Sequence, residues 1–104
     1  MDPTLALIAG AVGSLAGSVA SGAASAAGKS IWEKITGLLT ISKESSPVEA
    51  EEATKTAVAG DSQLAIQILS LIKSEPNSPA SQLVGNITAE KVLVAYNIEG
   101  DVHF

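Results

Sequence analysis

Asp2-Pro-Thr-Leu-Ala-Leu-Ile-Ala-Gly-Ala-Val-Gly-Ser-Leu-Ala-Gly-Ser-Val-Ala-Ser21 opens the chain and carries no charged side chain after Asp2. Asp2 is a good N-cap and Pro3 suits the first helical position, where a missing N–H costs nothing. The uncharged run continues to Gly28 and reads as one long helix. Leu5, Ile8, Val12, Leu15 and Val19 recur three and four residues apart, which lines them up as one stripe. Beside the stripe run two ladders of small residues at four-residue spacing. One is Ala9, Gly13, Gly17, Ser21 and Ser25, and the other is Gly10, Ser14, Ser18, Gly22 and Ala26. Each helical glycine costs about 1 kcal/mol relative to alanine in water, so glycines kept in such a ladder imply close backbone packing.

The rest of the chain is read outward from that helix. A second, amphipathic helix is expected from about Lys29 to Thr40, with Ile31, Ile35, Leu38 and Leu39 on one side and Trp32, Lys29, Glu33 and Lys34 toward the other. Trp32 between lysines fits a membrane interface, but a lone Trp in a small helical domain is more often part of the core. Residues 41–45 form a polar connection. Ser46-Pro-Val-Glu49 is a capping box with proline at the first helical position, and it starts a third helix to about Ala59 with a thin apolar face of Val48, Ala53, Ala57 and Val58. Glu49, Glu51 and Glu52 crowd its first turn, where they complement the helix dipole. Gly60-Asp61 joins a C-cap to an N-cap. The fourth helix, with Leu64, Ile66, Ile68, Leu69, Leu71 and Ile72, is the most hydrophobic and is expected at the centre of the bundle. Glu75 to Ser81 reads as an extended linker.

Beyond the linker the pattern changes from period 3.6 to period 2. Val92, Val94, Tyr96, Ile98, Val102 and Phe104 are apolar on one face, while Asn97, Glu99, Asp101 and His103 are polar on the other, as in a half-buried strand. Asn86-Ile87 followed by Val92 is echoed about eleven residues later by Asn97-Ile98 followed by Val102, with Gly85 and Gly100 as bends. Such a segment either pairs with other copies, its asparagines stacked as a ladder, or folds back as a hairpin on the helices. No strong turn signal separates the two halves, and an isolated hairpin is marginal in water, which favours pairing between chains.

Composition narrows the function classes. The chain has 104 residues, a formal net charge of −5 and no cysteine. The acidic balance offers no basic patch for nucleic acid. Without cysteine there is no disulfide, thiolate metal site or cysteine nucleophile. No basic n-region precedes the apolar start, so no secretory signal is expected. The lone His103 has no serine or carboxylate constellation around it, and no glycine-rich phosphate loop follows a strand. An enzyme is therefore not expected, and no catalytic, cofactor or metal-binding residue is assigned.

Three readings of the first helix stay open. It packs within its own domain, it enters a membrane once copies are gathered, or it is a permanent anchor. Its length suffices for a span, since roughly 20 residues cross a bilayer. Only Leu5, Leu7, Ile8, Val12, Leu15 and Val19 are strongly apolar, however, which disfavours stable insertion as a single helix.

The tail Asn86-Ile-Thr-Ala-Glu-Lys-Val-Leu-Val-Ala-Tyr-Asn-Ile-Glu-Gly-Asp-Val-His-Phe104 resembles the C-terminal bacterial amyloid signalling motifs, most specifically at Asn97-Ile-Glu-Gly-Asp-Val102. The glycine-rich helix before it looks like the Bell domain that commonly carries them, the bacterial counterpart of fungal HeLo-type cell-death domains. This resemblance implies an all-α bundle with a glycine-rich first helix over residues 1–74, a linker at 75–81, and a flexible, β-forming amyloid tail at 82–104. It implies a cell-death effector that rests in the cytoplasm. An NLR-type receptor with a matching motif would template the tail into a fibril of many copies, and the helical domain would then permeabilise the cell membrane. The motif residues would be Asn86, Ile87, Val92, Val94, Tyr96, Asn97, Ile98, Gly100, Val102 and Phe104. The membrane and oligomerisation residues would be Leu5, Ile8, Ala9, Val12, Gly13, Leu15, Gly17, Val19 and Ser21. The alternative is a non-lytic adaptor whose tail adds a strand to a partner's sheet.

Overall fold

Gly22 divides the uncharged N-terminal run into two helices. Its φ of +80° lies in the left-handed region, where glycine has no Cβ to clash. Gly22 N donates to Val19 O at 3.2 Å and Ala23 N donates to Ser18 O at 2.9 Å. This pair of bonds is the Schellman closure, which satisfies carbonyls at a helix end. Ser25 then caps the next helix by accepting from Gly28 N at 3.1 Å. The single helix expected to Gly28 is thus two helices joined by a turn, and the second begins three residues earlier than its periodicity indicates.

In the computed structural model, which describes residues 3–75, 79–88 and 90–94, the elements are α1 (Pro3–Ser21), α2 (Ala26–Leu39), α3 (Pro47–Val58), α4 (Ser62–Lys73) and α5 (Pro79–Leu83). Residues 90–94 are also helical and are labelled α6. No strand occurs among the described residues. The all-α expectation holds for them, and the β character expected from Val92 onward does not hold for 92–94. Most of that expected strand, residues 95–104, lies outside the described residues, as does Asp2.

Local signals explain most helix boundaries. Ser46 and Glu49 form the reciprocal capping box, with Glu49 N to Ser46 Oγ at 3.1 Å and Ser46 N to Glu49 Oε1 at 2.9 Å. Asp61 Oδ1 accepts from Leu64 N at 3.0 Å and starts α4. Thr88 takes the same role for α6, its Oγ1 accepting from Lys91 N at 3.2 Å and its carbonyl from Val92 N at 3.1 Å. Helix α2 ends on Thr40, whose φ of 58° is left-handed, with Ile41 N closing onto Thr36 O at 3.1 Å.

The core gathers around α1. Helix α1 contacts α2, α3, α4 and α5, and its most extensive contact is with α3. The hub is therefore α1 and not the more hydrophobic α4, because a helix with no ionisable side chain can be covered on several sides at once. Helix α4 buries Ala65, Ile68, Leu69 and Ile72 and leaves Leu64, Ile66 and Leu71 at the margin. Trp32 is buried, as expected, and its indole Nε1 donates to Lys43 O at 2.8 Å, tying down the α2–α3 connection. Val48, expected on the apolar face of α3, is 67% exposed. The face of α3 that meets the core is Ala50, Thr54 and Val58, four residues apart; of the expected face Val58 is fully buried and Ala53 and Ala57 are half-buried.

The core does not stop at α4. Ala80, Val84, Ile87 and Val92 join the same buried cluster as Leu5, Ile8, Val12 and Leu15. Residues 79–81, expected as extended linker, form the start of α5, with Ala80 and Ser81 buried.

Thr40 holds a left-handed conformation that costs an L-residue roughly 1–2 kcal/mol. Thr40→Gly should therefore stabilise the chain by ~1 kcal/mol, raising its Tm by several degrees in thermal unfolding followed by circular dichroism.

Candidate functional site

The small-residue ladder of α1 is a close-contact surface, and in this fold its partner is α3. A Cβ built on Gly13 would lie 3.1 Å from Pro47 O and 3.4 Å from Glu51 Oε1. One turn on, a Cβ at Gly17 would meet Pro47 Cγ at an ordinary 3.6 Å. Glycine at 13 lets the first turn of α3 rest directly on the backbone of α1. The capping box that fixes Ser46, Pro47 and Glu49 also fixes the position of the carbonyl seated there. Ala9 is fully buried in the same row, whereas Ser21 is exposed and its Oγ donates back to Ser18 O at 3.1 Å.

The apolar stripe behaves as the periodicity requires. Leu5, Ile8, Val12 and Leu15 are buried and Val19 is partly so. The second ladder differs in kind, since Gly10 has no atom within 4 Å of its Cβ position. Leu7, two turns before Gly13, is 45% exposed. One side of α1 thus seats α3 and the other carries small residues and an exposed leucine.

The residues expected in a tail motif divide the same way. Ile87 and Val92 are buried, Asn86 is exposed, and Val94 is 48% exposed. Tyr96, Asn97, Ile98, Gly100, Val102 and Phe104 lie outside the described residues. Two ammonium groups hold the turn at 84–88. Lys73 Nζ, from the last residue of α4, donates to Ile87 O, and Lys91 Nζ donates to Asn86 O at 2.9 Å. The structure therefore brings Ile87 and Val92 into one core with the α1 stripe, although the change of period after the linker predicts that tail and helix are separate parts. A signal for this existed. Ala80, Val84 and Ile87 are spaced i, i+4, i+7, a helical stripe, and Ser78-Pro79 has the same Ser-Pro form as Ser46-Pro47.

The enclosed space beside the α1 stripe is small. A cavity of about 10 Å³ lined by Leu15, Gly28, Ile31, Ile72, Glu75 and Ala80 separates α1, α2, α4 and α5. It is apolar and no larger than the space one water needs. Buried Thr36 and Thr54 return their hydroxyls to carbonyls of their own helices. No group of three or more His, Cys, Asp or Glu side chains suited to a metal occurs among the described residues.

The fold and this surface define a small all-α bundle organised on an apolar, glycine-bearing N-terminal helix. No family model, curated protein or solved structure matches the chain. Among the described residues α1 is the one helix long and apolar enough to cross a membrane, and 44% of that span is buried inside the bundle.

Two predictions follow from the α1–α3 seat. Gly10→Ala fills open space and should stabilise by up to about 1 kcal/mol, whereas Gly13→Ala presses a methyl on the Pro47 carbonyl and should destabilise by about 1–3 kcal/mol; urea unfolding of the two variants measures the opposite signs. The Glu49 carboxyl is held below the usual glutamate range, first by the Ser46 backbone N–H and then by the Ser46 hydroxyl. A lowered folded value means that its contribution is complete above the ordinary glutamate value of about 4.3 and is lost as pH falls through the folded one. An NMR titration should show the Ser46 and Glu49 amides leaving their capped positions below that range, and Ser46→Ala should move the Glu49 titration upward.

Proposed function

We propose that this chain is a cell-death effector of a bacterial NLR-type immune pathway, in which a receptor with a matching motif templates the C-terminal tail into amyloid and the helical domain then permeabilises the membrane. The observation that carries this reading is a shared core. Ile87 and Val92, which belong to the assembly motif, are buried in the same cluster as Leu5, Ile8, Val12 and Leu15 of the one described helix apolar enough to span lipid. A side chain cannot occupy that core and a cross-β interface at once. Drawing the tail into a fibril removes Ile87 and Val92 from the bundle, and full burial of each such side chain is worth about 1.5–3 kcal/mol. Against a domain stability of roughly 5–15 kcal/mol, that loss loosens the packing around α1.

Helix α1 has the dimensions for the second step. Its 19 residues rise about 28 Å at ~1.5 Å each, close to the ~30 Å hydrocarbon core of a bilayer. Freed from α3, the Ala9, Gly13 and Gly17 face is available to neighbouring copies, since small residues let helix backbones approach in lipid. A fibril gathers those copies at high local concentration. In the resting chain the small face is occupied by α3, which accords with a cytoplasmic resting state and membrane action only after assembly.

The test uses vesicles loaded with a fluorescent dye, the full chain, and preformed fibrils of a 82–104 peptide as seed. Seeded chain should assemble, bind thioflavin and release dye, and unseeded chain should do neither. Gly10→Glu places a charge where the bundle has open space. A central carboxylate costs about 2.5–3.5 kcal/mol on insertion, so this variant should fold and assemble as before yet release little dye. Assembly without leakage in the unmodified chain would assign it the non-lytic adaptor role, and a peptide that gives no cross-β diffraction would remove the amyloid step.

A further inference from the structure

Several backbone hydrogen-bonding groups of residues 84–88 are engaged inside the chain. Val84 N donates to Ser81 O at 3.2 Å, Ile87 N to Val84 O at 3.0 Å, and Thr88 O accepts from Val92 N at 3.1 Å. Two further acceptors at the turn, Asn86 O and Ile87 O, are held by lysine side chains. Those carbonyls are among the groups that a neighbouring strand would need for pairing.

The placement of the lysines gives this arrangement its strength. Lys73 is the last residue of α4, where the negative end of the helix dipole favours a cation, and it is partly buried. Its ammonium reaches 14 residues along the chain to Ile87 O. Lys91 lies in α6, is exposed, and reaches back to Asn86 O. Neither ammonium has a carboxylate within salt-bridge distance among the described residues. A bond from a charged donor is stronger than a neutral one, and lysine at a strand edge is a recognised obstacle to edge-to-edge pairing.

We propose that Lys73 and Lys91 form a cationic latch on the Asn86 and Ile87 carbonyls, which holds residues 84–88 and 90–92 in their turn and helix form and sets the threshold for their release into an assembly. The latch rests on the proposed function for its consequence, but its existence is measured apart from it. Removing the charge while keeping the aliphatic stem frees the two carbonyls and leaves the packing of Val84 and Val92 in place.

Amide hydrogen exchange on the full-length chain decides the matter. Lys73→Met should speed exchange in residues 84–92 by about tenfold, equivalent to ~1.4 kcal/mol, with little change in α2 and α3, and Lys73→Arg should restore most of the protection. Val58→Ala, which weakens the core away from the latch, should raise exchange broadly without singling out 84–92. Lys91→Met should give a smaller change of the same sign, and it carries the test if Lys73→Met fails to fold. Unchanged local exchange in the lysine variants would overturn the latch. In seeded assembly the same variants should shorten the lag several-fold, and faster exchange with an unaltered lag would overturn its role as a threshold. If no variant and no unmodified chain ever forms β-rich assemblies while local exchange still rises, the latch stands as a structural device and the amyloid reading fails.

Discussion

Everything in this bundle depends on the seat of α3 on the backbone of α1. Helix α1 has no ionisable side chain, so burial on several sides costs it no charge desolvation, and the other helices collect around it. Glycine at position 13 admits the Pro47 carbonyl to a distance that a methyl would contest. The capping box at Ser46 and Glu49 holds that carbonyl in place, so a polar, exposed motif on one helix sets the packing of an apolar one. Leu5, Ile8, Val12 and Leu15 then receive α2, α4 and the C-terminal segment along the rest of the surface.

The two ends of the described chain meet in this core. Small domains bury a limited fraction of their surface, so a few large side chains carry much of the stability. Val84, Ile87 and Val92 are three of them. Ala80, Val84, Ile87 and Val92 are consequently structural parts of the bundle, and Ile87 and Val92 belong to the proposed assembly motif as well. That double use is what connects the proposed receiver to the proposed output, and it requires no contact beyond those that hold the resting fold together.

Helix starts were legible where a side chain caps the backbone it belongs to. Ser46, Pro47 and Glu49, and Asp61 followed from local pattern. The stripe Leu5, Ile8, Val12 and Leu15 followed from spacing. The break at Gly22 was harder to see, since glycine is tolerated in helices and only its left-handed φ, closed by Ser18 and Val19, marks an end. Period two misled at Val92 and Val94, where two β-branched residues suit a strand. Thr88 caps a helix there and the core takes Val92, so burial outweighed a weak local preference.

The sequence by itself determined that this chain is helical from α1 to α4, that its first helix is uncharged with one small and one apolar face, and that its caps lie at Ser46 and Asp61. These are local properties, set by side chains acting within a turn of their own backbone. Only the tertiary structure decided that α1 and not α4 is the hub, that Val48 faces outward while Thr54 faces in, and that Ile87 and Val92 belong to the bundle core. Those outcomes depend on which surfaces meet across long stretches of chain, and a carbonyl resting on Gly13 from 34 residues away leaves no mark in the sequence around either partner.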